Sequence, residues 1–321
     1  MRIGLMVAPE RGRYATKVER MRAAARWAEE AGLDSIWTPQ IPDEIDAMTA
    51  VALIGAATHR IEVGTAVVPV QPRHPIALAQ QALSVQAACE GRFVLGLGVS
   101  HHWIIEDMLG LPYERHALTM RCYLDVLDRA RHGPGTVEVE NELFKVHNPL
   151  DITDLAPMPI LIAALGPAML RLAGERTEGT SLWLADERTI SSHVVPTITQ
   201  AAEAAGRSAP RILAGVPVCL CRDDEVGAAV ERTNRVLSEA ETSPNYRRLM
   251  GHGDAREIGD VLIAGSEAAV ERRLRRFASS GLTDLNARVV ALGSGREELV
   301  ASAERTREFL AAVAPALRKA G

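Results

Sequence analysis

Residues 91–103 read GRFVLGLGVSHHW, an apolar run that closes on Gly96-Leu97-Gly98 and passes straight into Ser100, His101, His102 and Trp103. Three chemistries use such residue types, and spacing removes each. A dinucleotide fingerprint needs a third glycine where the helix packs against the pyrophosphate, and His101 occupies that position. A nucleophile elbow around Ser100 needs glycine at position 102, which is histidine. Adjacent histidines on an extended segment point to opposite sides, and no HExxH or HxH follows, so no metal site is expected. What remains is a cluster of polar and aromatic side chains just past the end of an apolar strand.

Two other strand ends have the same character. ILIAALGPAMLRLAGE runs from a buried strand through Leu165, Gly166, Pro167 and Ala168 directly into a helix, whose free backbone N–H groups and positive dipole end suit a phosphate. TSLWLADER ends on Trp183 before Asp186, and an indole there can wall a flat ring or simply pack. In GTAVVPVQPRHPIALAQQ, Pro75 suits the first turn of a helix. Arg73 and His74 then stand at its entrance, equally suited to holding an anion or to capping the helix.

The elements that must position these residues alternate along the whole chain. Apolar runs at 2–8, 34–38, 61–68, 93–99, 160–164, 179–184, 211–220 and 284–291 read as eight strands. They are continuously apolar, as strands are when helices cover one face and a packed interior the other. Helical patterns fill the intervals at 15–31, 47–58, 76–89, 114–132, 169–175, 190–205, 225–240, 268–280 and 297–317. Eight β-then-α units without a change of composition predict one domain over residues 1–321, a TIM-like (β/α)8 barrel with insertions in the loops after strands 4 and 7. Residues 133–155 contain VEVENELFKVHN, an alternating stretch that predicts a small hairpin. In such a barrel the three strand ends surround one pocket.

Composition narrows the partners. The chain has 321 residues, 47% hydrophobic and 24% charged, and a formal net charge of −5 without a basic run, so neither nucleic acid nor an anionic membrane is expected as a partner. The first residues hold too few apolar side chains for a signal segment or a span, which predicts a cytoplasmic protein. Cys89, Cys122, Cys219 and Cys221 fit neither a zinc pattern nor a disulfide framework and read as structural thiols. Only Lys17, Lys145 and Lys319 are lysines, so arginines are the main candidates for anion recognition.

The block IEVGTAVVPVQPRHPIALAQQALSVQAACEGRFVLGLGVSH, with AALGPAMLRLAGE and GVPVC, resembles the bacterial luciferase-like monooxygenase superfamily, and within it the actinobacterial coenzyme F420-dependent oxidoreductases. The resemblance covers essentially the whole chain. It implies a flavin or deazaflavin at the strand C-termini, backed by a bulge with a non-prolyl cis peptide that falls here on Ala66–Val67. It further implies that residues 165–168 meet the coenzyme's phosphate-bearing side chain, and that His101 stands where deazaflavin-dependent sugar dehydrogenases carry a glutamate. The glycines at 96 and 98 would then let a strand end lie close under the ring. Those dehydrogenases also carry a Ser-Asp-His sequence after strand two, whereas this chain reads Thr38-Pro39-Gln40. Glutamine takes no proton at neutral pH, which favours a reductase of an activated C=C, C=N or C=O. In that reading His101, as an imidazole titrating near working pH, is the first candidate proton donor, and Gln40 orients substrate or ring carbonyls.

The expected cofactor is therefore coenzyme F420, with FMN as the alternative, and the expected partners are a small-molecule substrate and, as often in this superfamily, a second copy of the chain. Two competing functions remain: an FMN-dependent monooxygenase, and a non-catalytic flavin-binding protein on the same barrel. Segments 10–13, 41–46, 103–113 and 242–260 are expected to shape the substrate wall.

Overall fold

The computed structural model describes residues 1–8, 15–155, 157–238 and 243–319. Eight parallel strands close into a barrel: β1 (Arg2–Met6), β2 (Ser35–Thr38), β3 (Glu62–Thr65), β4 (Phe93–Gly98), β5 (Ile160–Ile162), β6 (Gly179–Trp183), β7 (Arg211–Leu220) and β8 (Asp284–Val289). Each pairs with its neighbour in chain order, and β8 pairs back onto β1 in the register Arg2↔Asp284 to Leu5↔Ala287. This is the (β/α)8 barrel expected from the alternation of patterns.

Eight helices follow the strands: α1 (Lys17–Glu30), α2 (Ala47–Gly55), α3 (Pro75–Ala88), α4 (His116–Ala130), α5 (Pro167–Arg176), α6 (Val195–Ala204), α7 (Glu267–Ser279) and α8 (Arg296–Lys319). Their apolar stripes face the sheet; in α1 Met21, Ala25 and Ala28 are buried at spacings of four and three. Pro75 and Pro167 sit in the first turns of α3 and α5, where a missing N–H costs nothing. For α5 this moves the start two residues upstream of the expected Met169.

The loops differ by face. Past β4, residues 99–115 carry a wide helical turn, Trp103–Met108. Past β7, residues 221–266 hold helices Val226–Leu237, Pro244–Met250 and Ile258–Val261 and a short strand, Ile263–Gly265, that pairs with β7. The expected hairpin forms from Gly135–Glu140 and Lys145–Leu150, but it follows α4 and therefore lies outside the strand-end loops that shape the pocket. Of the expected wall and helix segments, 10–13, residues 239–240 and residue 242 lie outside the described residues.

Four charged residues close the bottom of the barrel, each the first residue of its strand: Arg2, Glu62, Arg211 and Asp284. Arg211 lies 2.8 Å from Glu62 and 2.7 Å from Asp284, and Arg2 lies 3.2 Å from both carboxylates. Above them Trp37, fully buried, fills the interior with Val94, Leu161 and Leu213, and its Nε1–H donates to Ser35 Oγ at 2.9 Å. Gly64 makes room for it, since a Cβ there would stand 2.3 Å from the indole. The barrel is thus plugged below and open above.

Candidate active site

At the strand C-termini lies a cavity of about 590 Å³. Its lining includes Gln40, Ala66, Val67, His101, Leu165, Gly166, Pro167, Ala168 and Trp183, all nine site residues expected from the sequence. The structure therefore brings together strand ends 2, 3, 4, 5 and 6.

The Ala66–Val67 peptide bond is cis, at the point where β3 breaks before Val68–Pro69 resumes pairing with β4. The glycines of β4 serve this bulge. A Cβ on Gly96 would stand 1.9 Å from the Thr65 carbonyl oxygen, and one on Gly98 would stand 2.5 Å from Val67 Cγ2. The expectation that they lie close under a ring is corrected: the space beside them is filled by β3 itself, and it is Ala66 and Val67 that face the cavity.

Ser100 adopts a left-handed conformation, φ 59°, and its carbonyl accepts from the Tyr113 hydroxyl at 2.8 Å. This turn delivers His101 to the cavity wall, stacked on Trp103 with ring centroids 4.3 Å apart and planes within 5°. Tyr246, from the loop after β7, stands beside His101 with ring centroids 5.7 Å apart and planes tilted by 43°. Burial, with a smaller contribution from neighbouring His102, pushes the His101 pKa down from 6.5 to about 4. The expectation that this imidazole titrates near working pH is therefore not met; at neutral pH it is an uncharged hydrogen-bonding group.

Gln40 is fixed by its Oε1, which accepts from the Ala47 N–H at the start of α2 at 2.9 Å, so its Nε2 donors are the end available to a ligand. Residues 165–168 form the entrance to α5. Gly166 is its N-cap with no side-chain cap, and nothing lies within 4 Å of where a Cβ would be. The Leu165 carbonyl accepts from His193 Nε2 at 2.8 Å, and His193 stacks on His252 at 3.9 Å, which ties this entrance to the loop after β7. Trp183 lies against β7 in the space left by Gly215, whose Cβ would stand 2.4 Å from the indole. Arg73 and His74 resolve to the cap: Arg73 pairs with Asp46, and His74 Nδ1 accepts from the Ile76 N–H.

Sequence reasoning missed Met6, Ser181, Asn286 and Arg288 on the inner barrel wall, together with His116, Tyr246 and Arg248 around the mouth. The strand DLNARV carried a usable signal, since Asp284, Asn286 and Arg288 alternate in an otherwise apolar run and so share the inner face. No Asp or Glu occurs among the described lining residues, whereas Arg248 and Arg288 do. Among the described residues there is also no group of three or more His, Cys, Asp or Glu able to hold a metal, and no helix long and apolar enough to cross a membrane.

The fold and cavity define a TIM-barrel protein whose cavity lies at the strand ends, beside the uncapped N-terminus of α5. The family model for luciferase-like monooxygenases matches residues 1–284, and the chain belongs to that family. A protein of Mycobacterium tuberculosis provisionally named a coenzyme F420-dependent oxidoreductase is 32% identical over 170 residues, 49% of this chain and 48% of that protein, so the match spans about half of that relative's length. The F420-dependent hydroxymycolic acid dehydrogenase of the same organism is 28% identical over 261 residues, 77% of this chain and 71% of that protein. In fold the chain also resembles the FMN-bound oxygenating constituent of 3,6-diketocamphane monooxygenase from Pseudomonas putida, with a TM-score of 0.75, 19% identity and 98% of each chain covered.

Proposed function

We propose that the protein is an oxidoreductase that binds coenzyme F420 across the strand ends and reduces a small organic substrate. The observation that carries this reading is the placement of the Ala66–Val67 bulge and the open α5 entrance in one cavity, as a tricyclic ring with a phosphate-bearing side chain requires. The residues fit the group. The bulge and Trp183 offer flat apolar surface, the Gly166 entrance has room for an anion, and the described lining contains no carboxylate to repel one. The preference for F420 over FMN rests on the relatives' names, because the same barrel also carries FMN.

When bound, the coenzyme supplies a hydride from its ring to an activated C=C, C=N or C=O, chemistry that belongs to the cofactor. The chain supplies orientation and electrostatics. His101, held flat by Trp103, offers a neutral imidazole N–H to an acceptor atom of the substrate where negative charge develops, and the product's proton then comes from solvent. Gln40 Nε2 holds a carbonyl on the β2 side. Tyr246 and Arg248, from the loop after β7, wall the cavity on the side away from β2 and β3 and leave the product open to protonation by solvent.

The test is a titration of the purified protein with both coenzymes, followed by fluorescence and absorbance. Binding of F420 at least tenfold tighter than FMN, with bleaching of the reduced coenzyme on adding an enone or imine panel, is expected. Tighter binding of FMN with oxygen consumption would make the protein a monooxygenase instead.

A further inference from the structure

Asn286 lies at the floor of the cavity, on β8, and its side-chain Oδ1 is buried without a hydrogen-bond partner. The residue is 1% exposed. An orphaned buried acceptor destabilises the fold, so an apolar side chain of the same shape would suit the barrel itself better. Its surroundings explain why nothing within the fold pairs with it. The cross-strand neighbours of Asn286 are Gly4 on β1 and Gly215 on β7, neither of which has a side chain to offer. The indoles that pack across those glycines are Trp37 and Trp183. The Nε1–H of Trp37 is already given to Ser35.

An amide presents one acceptor and one donor side by side, and its complement is a group presenting an N–H beside a carbonyl. We infer that Asn286 reads such an edge on the ligand, namely the imide edge of the flavin-type ring whose face rests on Ala66–Val67. The inference rests on the proposed function and adds a residue that fixes how the ring lies in its plane. The bulge supports the ring face, the α5 entrance holds its anionic tail, and Asn286 takes the edge that neither of these touches. In this role Asn286 is a positioning residue for the ring.

The experiment compares the wild-type protein with Asn286→Leu by thermal melting without ligand and by fluorescence titration with coenzyme F420, 5-deaza-FMN and 3-methyl-5-deaza-FMN. The last probe replaces the imide N–H with a methyl group. Expected are a melting temperature in the variant equal to or above that of the wild type, an F420 Kd raised about tenfold, and a wild-type preference for 5-deaza-FMN over its methyl derivative that disappears in the variant. A variant that melts several degrees lower and keeps its F420 affinity would overturn the inference, because the amide would then serve the fold. An unchanged melting temperature with unchanged affinity would overturn it equally, and so would a wild-type protein indifferent to the N-methyl group, a comparison that needs no variant. Failure of the wild type to bind F420 and 5-deaza-FMN at all would remove the proposed function and this inference together. The other three failures leave that function standing.

Discussion

The carbonyl oxygen of Thr65 occupies the space that a side chain on Gly96 would need, 1.9 Å from the position of its Cβ, and Thr65 Oγ1 both donates to the Gly96 carbonyl and accepts from the Gly96 N–H, each at 2.9 Å. β3 and β4 are therefore locked together immediately before the cis bond, and the bulge that faces the cavity is held by a residue that never touches it. The apparent fingerprint in GLG is a packing device for the neighbouring strand.

Gly96→Ala follows from that contact. The obstructing atom is backbone, so the new methyl group cannot be accommodated by a side-chain swing, and overpacking of this kind costs about 1–3 kcal/mol. The variant should melt several degrees lower and lose at least tenfold in coenzyme affinity as Ala66 and Val67 shift. Gly32→Ala, where φ is +77° and nothing lies within 4 Å, serves as a comparison that should lower stability without touching affinity measured on folded protein. Equal affinity losses in the two variants would refute the coupling.

His101 carries a pH signature. Its pKa in the folded protein is about 4, against 6.5 ordinarily, so between these values the unfolded chain binds a proton that the folded state refuses. Stability is unaffected above pH 6.5 and falls as pH drops from there toward 4. By linkage the loss from this one group is about 2 kcal/mol between pH 7.5 and pH 5. Urea unfolding at the two pH values should show that loss in the wild type and a correspondingly smaller one in His101→Gln. Identical pH dependence would mean that the imidazole is not held neutral.

The barrel was legible because eight apolar runs alternate with helical patterns, a periodicity written locally. Strand ends were legible for the same reason: His101, Leu165 and Trp183 stand where an apolar run stops. What could not be read depends on partners distant in sequence. The protonation state of His101 is set by burial against Trp103 and Tyr246, the latter 145 residues away. Tyr246 itself belongs to a segment without periodicity. The role of Gly96 becomes visible only once Thr65 is beside it. Asn286 could have been found from the alternation in DLNARV, had the inner face of β8 been followed upward from Asp284.

Arg211 separates fold from function. It bridges Glu62 and Asp284 at the closed end, and these carboxylates hold its guanidinium firmly protonated although burial alone would act the other way. Arg211→Met leaves two largely buried carboxylates with Arg2 as their remaining cation. Breaking such a network costs about 3 kcal/mol. Chemical denaturation should register that loss, while coenzyme affinity at a temperature where the variant is folded stays within twofold. A large change in affinity would show that the plug and the site are coupled through the barrel.

Asp186 anchors the loop after β7. Its Oδ1 accepts from the Thr189 N–H at 2.7 Å, and its Oδ2 accepts from the N–H groups of Asp254 and Ala255 at 2.6 and 2.9 Å. Burial raises its pKa, but the three N–H donors together with Thr189's side chain outweigh that and leave the carboxyl below its ordinary range. A group depressed in this way stabilises the fold above the ordinary carboxylate pKa, and the contribution is lost as pH falls below it. Asp186→Ala removes a charge-assisted anchor worth about 1–3 kcal/mol and frees the segment that brings Tyr246 and Arg248 to the cavity. Hydrogen exchange at neutral pH should rise at least tenfold over residues 244–256, with little change in the barrel strands. Substrate KM should rise more than kcat falls, because the wall loosens while the ring support at Ala66 and Val67 stays in place. Uniform acceleration of exchange across the strands would assign Asp186 to the core instead.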